Sequence, residues 1–309
     1  MNDTNTQISI LCFSKNRPLQ LEAYLTSLFQ MCKEPCSVSV LYTCGLAYNA
    51  SYEKLKNEFP NVSFISETHF TRQVSDIVRN TKTPFFMFGC DDVIFKGPWE
   101  PSNITRKFQT TPRLLAFSLR LGREITYCHP LDRNMSLPHF QEEEPLLTWF
   151  WHDGEADWGY PWELDSTAYS TNFVKAFMRK FARNPFARHK FDWSNPNKLE
   201  ALGAGLIQRE TTFDLMASYA DARACVLTIN IVQETFPNRV YQSEFAAKEL
   251  LGMWNEGKRL DTTYYFGRTY KSIHIGDTRF IDRSTDQVSG TKRDSAAGLA
   301  WSTRVDATE

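Results

Sequence analysis

The chain has 309 residues, of which 42% are hydrophobic and 23% are charged. This length and composition are sufficient for one large domain with a buried core, or for one domain with a substantial extension. The 35 basic residues nearly balance the 36 acidic ones, so no overall charge attracts nucleic acid or an acidic membrane surface. Nucleic acid is therefore a disfavoured partner.

The seven cysteines are odd in number and irregular in spacing. Cys32 and Cys36 have no matching second pair, so the pattern predicts neither a zinc site nor a disulfide framework. Reduced thiols are typical of the cytosol. The polar N-terminus lacks a signal-peptide pattern, and no segment reaches the roughly 20 apolar residues that a membrane span needs. These features predict a cytoplasmic protein without a membrane span.

Runs of apolar residues predict strands and helices that alternate along the amino-terminal part of the chain. Strands are predicted at residues 8–13, 38–43, 62–66 and 84–95. Helices are predicted where apolar residues recur at helical spacing, and these residues are Leu21, Leu25 and Leu28, then Tyr52, Leu55 and Phe59, then Phe70, Val74 and Val78. The short connections indicate βαβ units around a parallel sheet.

Two adjacent carboxylates, Asp91 and Asp92, interrupt the apolar run at residues 84–95. Burying a carboxylate without a partner is costly, so this position requires a compensating group. A divalent cation with a phosphate behind it is such a partner, and oxygen ligands suit Mg²⁺ or Mn²⁺. The alternative interpretation is a polar turn after a core strand, with both side chains in water.

Polar residues follow three of the predicted strands, at residues 14–17, 43–45 and 90–92. In open parallel sheets, ligands bind beyond the carboxyl ends of the strands, so these segments are expected to converge on one crevice. The chain has no GxGxxG motif after the first strand and no GxxxxGK[ST] motif. These absences argue against a dinucleotide-dependent oxidoreductase and against a P-loop enzyme.

The loop Ser14-Lys15-Asn16-Arg17-Pro18, the β/α alternation and the later acidic pair resemble a GT-A fold glycosyltransferase of the family-two-like, nucleotide-sugar-dependent group. The resemblance covers roughly residues 8–125. It implies an α/β fold in which helices flank a Rossmann-like, mostly parallel central sheet, with an α/β extension on the acceptor side. Residues 1–125 are expected to form the nucleotide-sugar-binding half, and residues 126–283 the acceptor-binding and catalytic half of the same domain.

The resemblance also implies roles for residues on the donor side. In that family the first-strand loop holds the nucleotide, and an acidic DXD motif binds the metal and the sugar diphosphate. Asp92 corresponds to the last, metal-binding acid of the motif, and Asp91 corresponds to the middle acid, with a donor-binding role. The resemblance implies donor binding for Phe13, Ser14 and Arg17 as well.

Two positions depart from the family pattern. Cys90 stands where the DXD motif usually has an acid. The second strand ends in residues 42–45, Tyr-Thr-Cys-Gly, and lacks the Asp that often contacts the nucleobase. The identity of the base therefore stays open.

Aromatic and acidic residues are concentrated at residues 149–165, a composition that suits a sugar site because flat rings cover C–H surfaces and carboxylates bind hydroxyls. An aromatic-rich surface loop is the alternative. In GT-A enzymes an acceptor-side acid follows the metal motif at a comparable distance, which implies that Asp165 is the catalytic base. Its alternative role is to cap a following helix. The other candidate bases are Asp153, Glu155, Asp157 and Glu200.

A helix start is predicted at Asn195, the N-cap, with Pro196 at the first helical position. Residues 195–200 and the tripeptide at residues 164–166 resemble a bacterial subgroup of glycosyltransferases whose acceptors are largely unassigned. The remaining predicted segments are strands at 114–121 and 226–232, a loop or lid at 128–148, a helix capped by Ser243, and a polar mobile tail at 284–309.

His274 lies between two isoleucines near the end of the chain. A histidine with apolar neighbours is commonly a core residue with a satisfied side chain. Many GT-A enzymes bring a late histidine back to the metal, so the resemblance implies that His274 is a second metal ligand beside Asp92.

These features together predict a metal-dependent glycosyltransferase, hexosyl or related, with Mn²⁺ or Mg²⁺ as cofactor. It would move a sugar from a nucleotide diphosphate sugar to a hydroxyl acceptor, such as a glycan or a related surface polysaccharide. One alternative is a sugar-nucleotide nucleotidyltransferase, although residues 14–18 lack the glycines of its usual loop. The other is a catalytically inactive nucleotide-sugar-binding protein, which Cys90 keeps open.

Overall fold

The computed structural model describes residues 6–183, 193–232, 239–241 and 245–283. Within these ranges, helices flank a nine-stranded central sheet, and three small sheets lie beside it. The α/β class predicted from the sequence is confirmed. The predicted tail and the capping residue Ser243 lie outside the described residues.

The strands and helices have the following bounds. The strands are β1 (Ile8–Lys15), β2 (Ser37–Thr43), β3 (Ser63–Ser66), β4 (Phe85–Cys90), β5 (Val93–Phe95), β6 (Leu114–Ser118), β7 (Tyr127–Cys128), β8 (Arg133–Asn134), β9 (Gln141–Glu143), β10 (Leu146–Phe150), β11 (Thr167–Ser170), β12 (Leu215–Tyr219), β13 (Ala224–Leu227), β14 (Lys258–Leu260), β15 (His274–Ile275) and β16 (Phe280–Asp282). The helices are α1 (Pro18–Met31), α2 (Asn49–Glu58), α3 (Phe70–Asn80), α4 (Pro101–Thr110), α5 (Thr171–Arg183), α6 (Pro196–Ile207) and α7 (Ala247–Asn255).

The central sheet has the strand order β3-β2-β1-β4-β11-β6-β12-β10-β9. The first four strands are parallel to one another, and β12 is parallel to β6. β11 is antiparallel to both β4 and β6, while β10 is antiparallel to both β12 and β9. Among the strands of this sheet, β10 and β11 therefore run against the others, and the sheet is mostly parallel, as predicted.

The apolar run at residues 84–95 is two strands in two sheets, not one uninterrupted strand. β4 belongs to the central sheet, whereas β5 pairs with β13 in a separate three-stranded sheet with β15. The backbone N–H of Asp91 donates to Phe13 O at 3.1 Å, and Leu227 N donates to Asp92 O at 2.8 Å. The acidic pair therefore lies where the chain passes from the central sheet to the three-stranded sheet, because the backbone of Asp91 bonds to β1 and the backbone of Asp92 bonds to β13.

The helix starts agree with the sequence. Pro18 is the first residue of α1, and Pro196 is the first residue of α6. The side chain of Asn195 accepts a hydrogen bond from Lys198 N at 2.9 Å, which confirms the predicted N-cap. Among the described helices, none is long and apolar enough to cross a membrane.

The second half differs from the sequence prediction in three places. The segment at residues 128–148 contains β8, β9 and the start of β10, so it is not a simple loop. β11 lies between Asp165 and α5 and was not predicted. The tryptophans of the aromatic-acidic segment are buried in the core, which excludes them as exposed sugar platforms; they are Trp149, Trp151, Trp158 and Trp162.

Candidate functional site

Asp91 connects the acidic pair to the first-strand loop. The residue is only 3% exposed. Ser14 Oγ donates to Asp91 Oδ2 at 2.8 Å, Lys15 N donates to the same oxygen at 3.3 Å, and Arg17 Nη1 donates to Asp91 Oδ1 at 3.0 Å. Burial raises the pKa of Asp91 to about 6, although Arg17 opposes this shift. Asp91 therefore anchors the loop from inside the protein.

Arg17 binds both carboxylates of the pair. Its Nη1 donates to Asp92 Oδ2 at 2.8 Å as well as to Asp91, and its Nη2 donates to Asn230 O at 2.8 Å. The guanidinium is buried. Because one side chain reaches two other segments, Arg17 fixes the first-strand loop against the acidic pair and the segment after β13.

Asn16 joins the loops that follow β1 and β2. Its backbone has φ 55°, a left-handed conformation that asparagine tolerates better than most residues. Its Oδ1 accepts a hydrogen bond from Gly45 N at 2.8 Å. The two loops therefore meet, as expected for loops that follow parallel neighbouring strands and so lie at the same edge of the sheet.

Asp165 is held at the edge where β4 and β6 end. The next residue, Ser166, has φ 81°, and its N–H donates to Phe88 O at 3.0 Å. Leu119 N donates to Ser166 O at 3.2 Å. A left-handed serine costs conformational energy, which the two flanking bonds offset. Since β11 follows Asp165 directly, the alternative that Asp165 caps a helix is excluded.

Cys90, Asp92 and Asp165 form a group whose candidate ligand atoms lie within 4.8 Å of one another. Burial, together with the charges of Asp165 and Asp92, raises the pKa of the Cys90 thiol well above its usual value. The thiol is therefore protonated at neutral pH and is a poor ligand for a hard cation. The two carboxylates remain as oxygen ligands that fit Mg²⁺ or Mn²⁺.

Burial also changes the pKa of the Asp165 carboxyl group. Burial and the negative charges of Glu163 and Asp92 raise the pKa of Asp165 to about 7. Glu200, the fifth residue of α6, has a pKa raised to about 8 by burial and by the charges of Asp165 and Glu163. Two interacting carboxyl groups with pKa values near neutrality are typical of acid–base sites.

Arg120 and Glu163 belong to this cluster and were missed by the sequence reasoning. Arg120 is buried just after β6, with its Nε 3.4 Å from Glu163 Oε1 and its Nη1 4.0 Å from Asp157 Oδ1. Glu163 is only 1% exposed. A signal for Arg120 existed, because it lies near the carboxyl end of the strand predicted at residues 114–121, at the edge where ligands bind. No comparable signal marked Glu163 among the other acids of its segment.

Carboxylates outnumber arginines across the whole cluster. The acidic residues are Asp91, Asp92, Asp157, Glu163, Asp165 and Glu200, and the basic residues are Arg17 and Arg120. Such an excess of negative charge in a buried region requires bound protons or a cation. The cluster therefore fits a divalent cation electrostatically.

The remaining two predicted site residues, Phe13 and His274, lie at the margins of the charged cluster. The Phe13 ring is buried, 5.3 Å from the ring of Phe70 and 6.0 Å from that of Phe88, so its backbone oxygen alone reaches the acidic pair. His274 lies on β15, with Nδ1 2.9 Å from Thr228 Oγ1. It is not a member of the group formed by Cys90, Asp92 and Asp165.

No protein-family model matches the chain. The chain is 28% identical over 298 residues to the bifunctional glycosyltransferase pgtA of Dictyostelium discoideum. The match covers 87% of this chain, whereas the chain spans 38% of the length of that protein.

Solved structures with partial similarity include S. aureus TarS, with a TM-score of 0.43, 13% identity and coverage of 70% of this chain and 35% of TarS. The mannosyltransferase PcManGT of Pyrobaculum calidifontis, in complex with GDP-Man and Mn²⁺, gives a TM-score of 0.31 at 12% identity, over 42% of this chain and 43% of that one. The 4-diphosphocytidyl-2C-methyl-D-erythritol synthase of Anaerococcus prevotii gives a TM-score of 0.40 at 9% identity, over 81% of this chain and 96% of that one. A shared activity does not follow from such scores. The sequence match relates this chain to a glycosyltransferase over most of its own length.

Proposed function

We propose that the protein is a metal-dependent glycosyltransferase of GT-A type that transfers a sugar from a nucleoside diphosphate sugar to a hydroxyl acceptor. The observation that carries the proposal is the meeting of Arg17, Asp91, Asp92 and Asp165 in one buried cluster. The similarity to a bifunctional glycosyltransferase supports the same class of reaction. The cytoplasmic location and the two-half organisation predicted from the sequence remain predictions.

On the donor side, Ser14 and Arg17 are the residues assigned to the diphosphate and its nucleoside. Asp92, with Asp165 nearby, would hold Mn²⁺ or Mg²⁺, and a bound cation neutralises charge on the leaving diphosphate. In this structure Arg17 Nη1 donates to Asp92 Oδ2, so the guanidinium and a cation compete for that oxygen. The diphosphate offers Arg17 an alternative anionic partner.

On the acceptor side, Asp165 would take the proton from the attacking hydroxyl. A general base works best when its pKa lies near the working pH, and the pKa of Asp165 is raised to about 7 by burial and by neighbouring carboxylates. Asp165 is a weaker base while it coordinates a cation, because the positive charge of the cation lowers the pKa of the carboxyl group. A base at this position corresponds to an inverting displacement.

A screen of nucleotide sugars tests the donor assignment. The protein is heated with UDP-, GDP- and dTDP-sugars, each with and without Mn²⁺, and hydrolysis of each donor is followed. One donor is expected to stabilise the protein in a Mn²⁺-dependent way, by about 2.7 kcal/mol at a hundredfold excess over its Kd, and to be slowly hydrolysed. The Asp92→Asn variant is the control and should lose the Mn²⁺-dependent part of the stabilisation by the donor.

Two outcomes contradict the proposal. Release of pyrophosphate from a nucleoside triphosphate and a sugar phosphate, without donor hydrolysis, would identify a nucleotidyltransferase. Donor binding without hydrolysis or transfer to any hydroxyl compound would identify an inactive nucleotide-sugar-binding protein.

A further inference from the structure

We propose that the cavity beside His274 is an acceptor subsite that binds a neutral saccharide. The inference rests on the proposed function and extends it to the class of acceptor. The cavity has a volume of about 460 Å³. The cavity is lined by Tyr241, Tyr270, Lys271, His274 and Asp277, among others.

The Tyr241 ring is fixed in the cavity wall although the residue is 42% exposed. One of its faces stacks on the His129 ring, with centroids 3.9 Å apart and planes inclined by 16°. Its hydroxyl donates to His274 O at 3.0 Å. A Cβ at Gly276 would overlap Tyr241, so the glycine allows this close approach. A held aromatic ring with exposed surface suits the C–H face of a sugar ring.

Two polar atoms of the lining residues have no hydrogen-bond partner in the part of the chain that the structure describes. Thr228 Oγ1 lies 2.9 Å from His274 Nδ1 and 3.4 Å from Val226 O. His274 Nε2 has no hydrogen-bond partner among the described residues, so in either tautomer it can bond to a ligand, as an acceptor or as a donor. The Tyr270 hydroxyl is buried, and it too lacks a partner in the described part of the chain.

The charges of the lining favour a neutral ligand. Lys271 and Asp277, both exposed, are the charged residues that line the cavity in the described ranges, and their charges cancel. Burial and the positive charge of Arg120 lower the pKa of His274, so its imidazole is neutral at physiological pH. A phosphate would require a cluster of cations, and a cationic ligand would require more carboxylates. Hydroxyl groups are matched by the neutral donors and acceptors present.

The cavity adjoins the catalytic cluster through a shared sheet. His274 pairs with Val226 on β13, and Val226 pairs with Val93, which follows Asp92. Arg120 is near enough to His274 to lower its pKa, and it also pairs with Glu163. A saccharide that contacts His274 would therefore lie two strands from β5, the strand that follows Asp92.

The test compares two hydroxyl deletions, Tyr270→Phe in the cavity and Tyr264→Phe outside it, together with Tyr241→Ala. The probes are methyl α- and β-glycosides of glucose, galactose, mannose and N-acetylglucosamine, with glucose 6-phosphate as the charged comparison, at millimolar concentration and without donor. Binding is measured by saturation-transfer NMR and by titration. Donor hydrolysis by water is measured separately in the same variants.

At least one glycoside is expected to bind the unaltered protein and Tyr264→Phe equally. Its affinity should fall about two- to tenfold in Tyr270→Phe, because one neutral hydrogen bond is lost, and further in Tyr241→Ala, because a ring face is lost. Donor hydrolysis should be the same in all variants.

Absence of glycoside binding to the unaltered protein, or equal binding in all variants, would overturn the subsite. Preferential binding of glucose 6-phosphate in the cavity would overturn its neutral class. If the glycoside binds as expected but no nucleotide sugar is hydrolysed or transferred, the proposed function fails and the saccharide site stands. If a donor is hydrolysed but the glycoside results are negative, the subsite alone fails.

Discussion

Asp91 and Asp92 are neighbours in the chain but have different surroundings. Asp91 accepts hydrogen bonds from Ser14, Lys15 and Arg17 inside the protein. Asp92 accepts one from Arg17 and keeps 17% of its side chain exposed, beside Asp165. The first residue is therefore placed to hold the loop, and the second is placed to meet a ligand.

Substituting each aspartate by asparagine should separate these roles. Asp91→Asn should lower the free energy of unfolding by up to about 3 kcal/mol, since a buried charge pair is broken while Arg17 keeps Asp92. Asp92→Asn should cost less than about 1 kcal/mol but remove Mn²⁺-dependent stabilisation by the donor. Urea unfolding and thermal shift measure the two effects. Equal losses of stability in the two variants would contradict the assignment.

Asp165→Asn should lower transfer by about 10²-fold or more while donor binding persists. With the unaltered enzyme, the rate should rise as pH increases through about 7, where the raised pKa of Asp165 allows the proton to leave. The variant should lose this rise. Mn²⁺ affinity distinguishes the competing role: an unchanged affinity supports the base, and a large loss identifies Asp165 as a metal ligand instead.

The same raised pKa values should appear in the pH dependence of stability. Asp165 and Glu200 have pKa values of about 7 and 8 in the folded chain, above the values of about 4 expected in the unfolded chain. Between about pH 4 and 8 the folded chain therefore holds more protons, and these groups lower the free energy of unfolding as pH rises. The double variant Asp165→Asn, Glu200→Gln should be more stable relative to the unaltered protein at pH 8 than at pH 5. A constant difference would contradict the shifts.

At the scale of elements, the site depends on a strand that runs against its neighbours. β11 is antiparallel to β4 and β6, so its amino end lies at the same edge as their carboxyl ends. Asp165 precedes β11 and thereby reaches Asp92. On the other side, α6 begins at Pro196 and brings Glu200 to the same cluster.

Gly203 lets α6 approach the core, because a Cβ there would overlap the Trp162 ring. Gly203→Ala should therefore cost about 1–3 kcal/mol and displace Glu200. Gly205→Ala is a matched control in the same helix, since a Cβ at 205 meets nothing within 4 Å. It should leave stability unchanged or raise it by up to about 1 kcal/mol. Similar effects of the two alanines on unfolding in urea would show that Gly203 does not set the packing.

At the scale of the whole molecule, the central sheet joins both predicted halves of the chain. β1 to β4 and β6 precede residue 126, and β9 to β12 follow it, yet these strands form one sheet. β11 lies between β4 and β6, so a strand from the second half completes the first. The halves are thus interleaved by hydrogen bonding.

This interleaving predicts a single cooperative unfolding transition. Loss of β11 would break the pairing of β4 and β6 with it, and neither half would retain its core. Far-ultraviolet circular dichroism and tryptophan fluorescence should give coincident urea transitions. Two separated transitions, or stable folding of residues 1–125 alone, would contradict the prediction.

The sequence by itself determined the strands, helices and polar loops of the amino-terminal part, apart from the division of residues 84–95 into β4 and β5, because period and turn chemistry are local properties. The same local rules placed Ser14, Arg17 and the acidic pair at strand ends, and they identified Asn195 as an N-cap. Asp165 was reached through a family resemblance, with a helix expected after it where the structure has β11.

Only the tertiary structure decided which charged groups meet. Strand order and direction across distant segments determine the ion pairs of Arg17 with Asp92 and of Arg120 with Glu163. They also separate His274 from the acidic group. The burial of the tryptophans near Asp165 was decided in the same way, since composition does not distinguish a ring in the core from one on a sugar-binding surface. Pairing and burial are long-range properties, and they set the pKa values on which the chemistry depends.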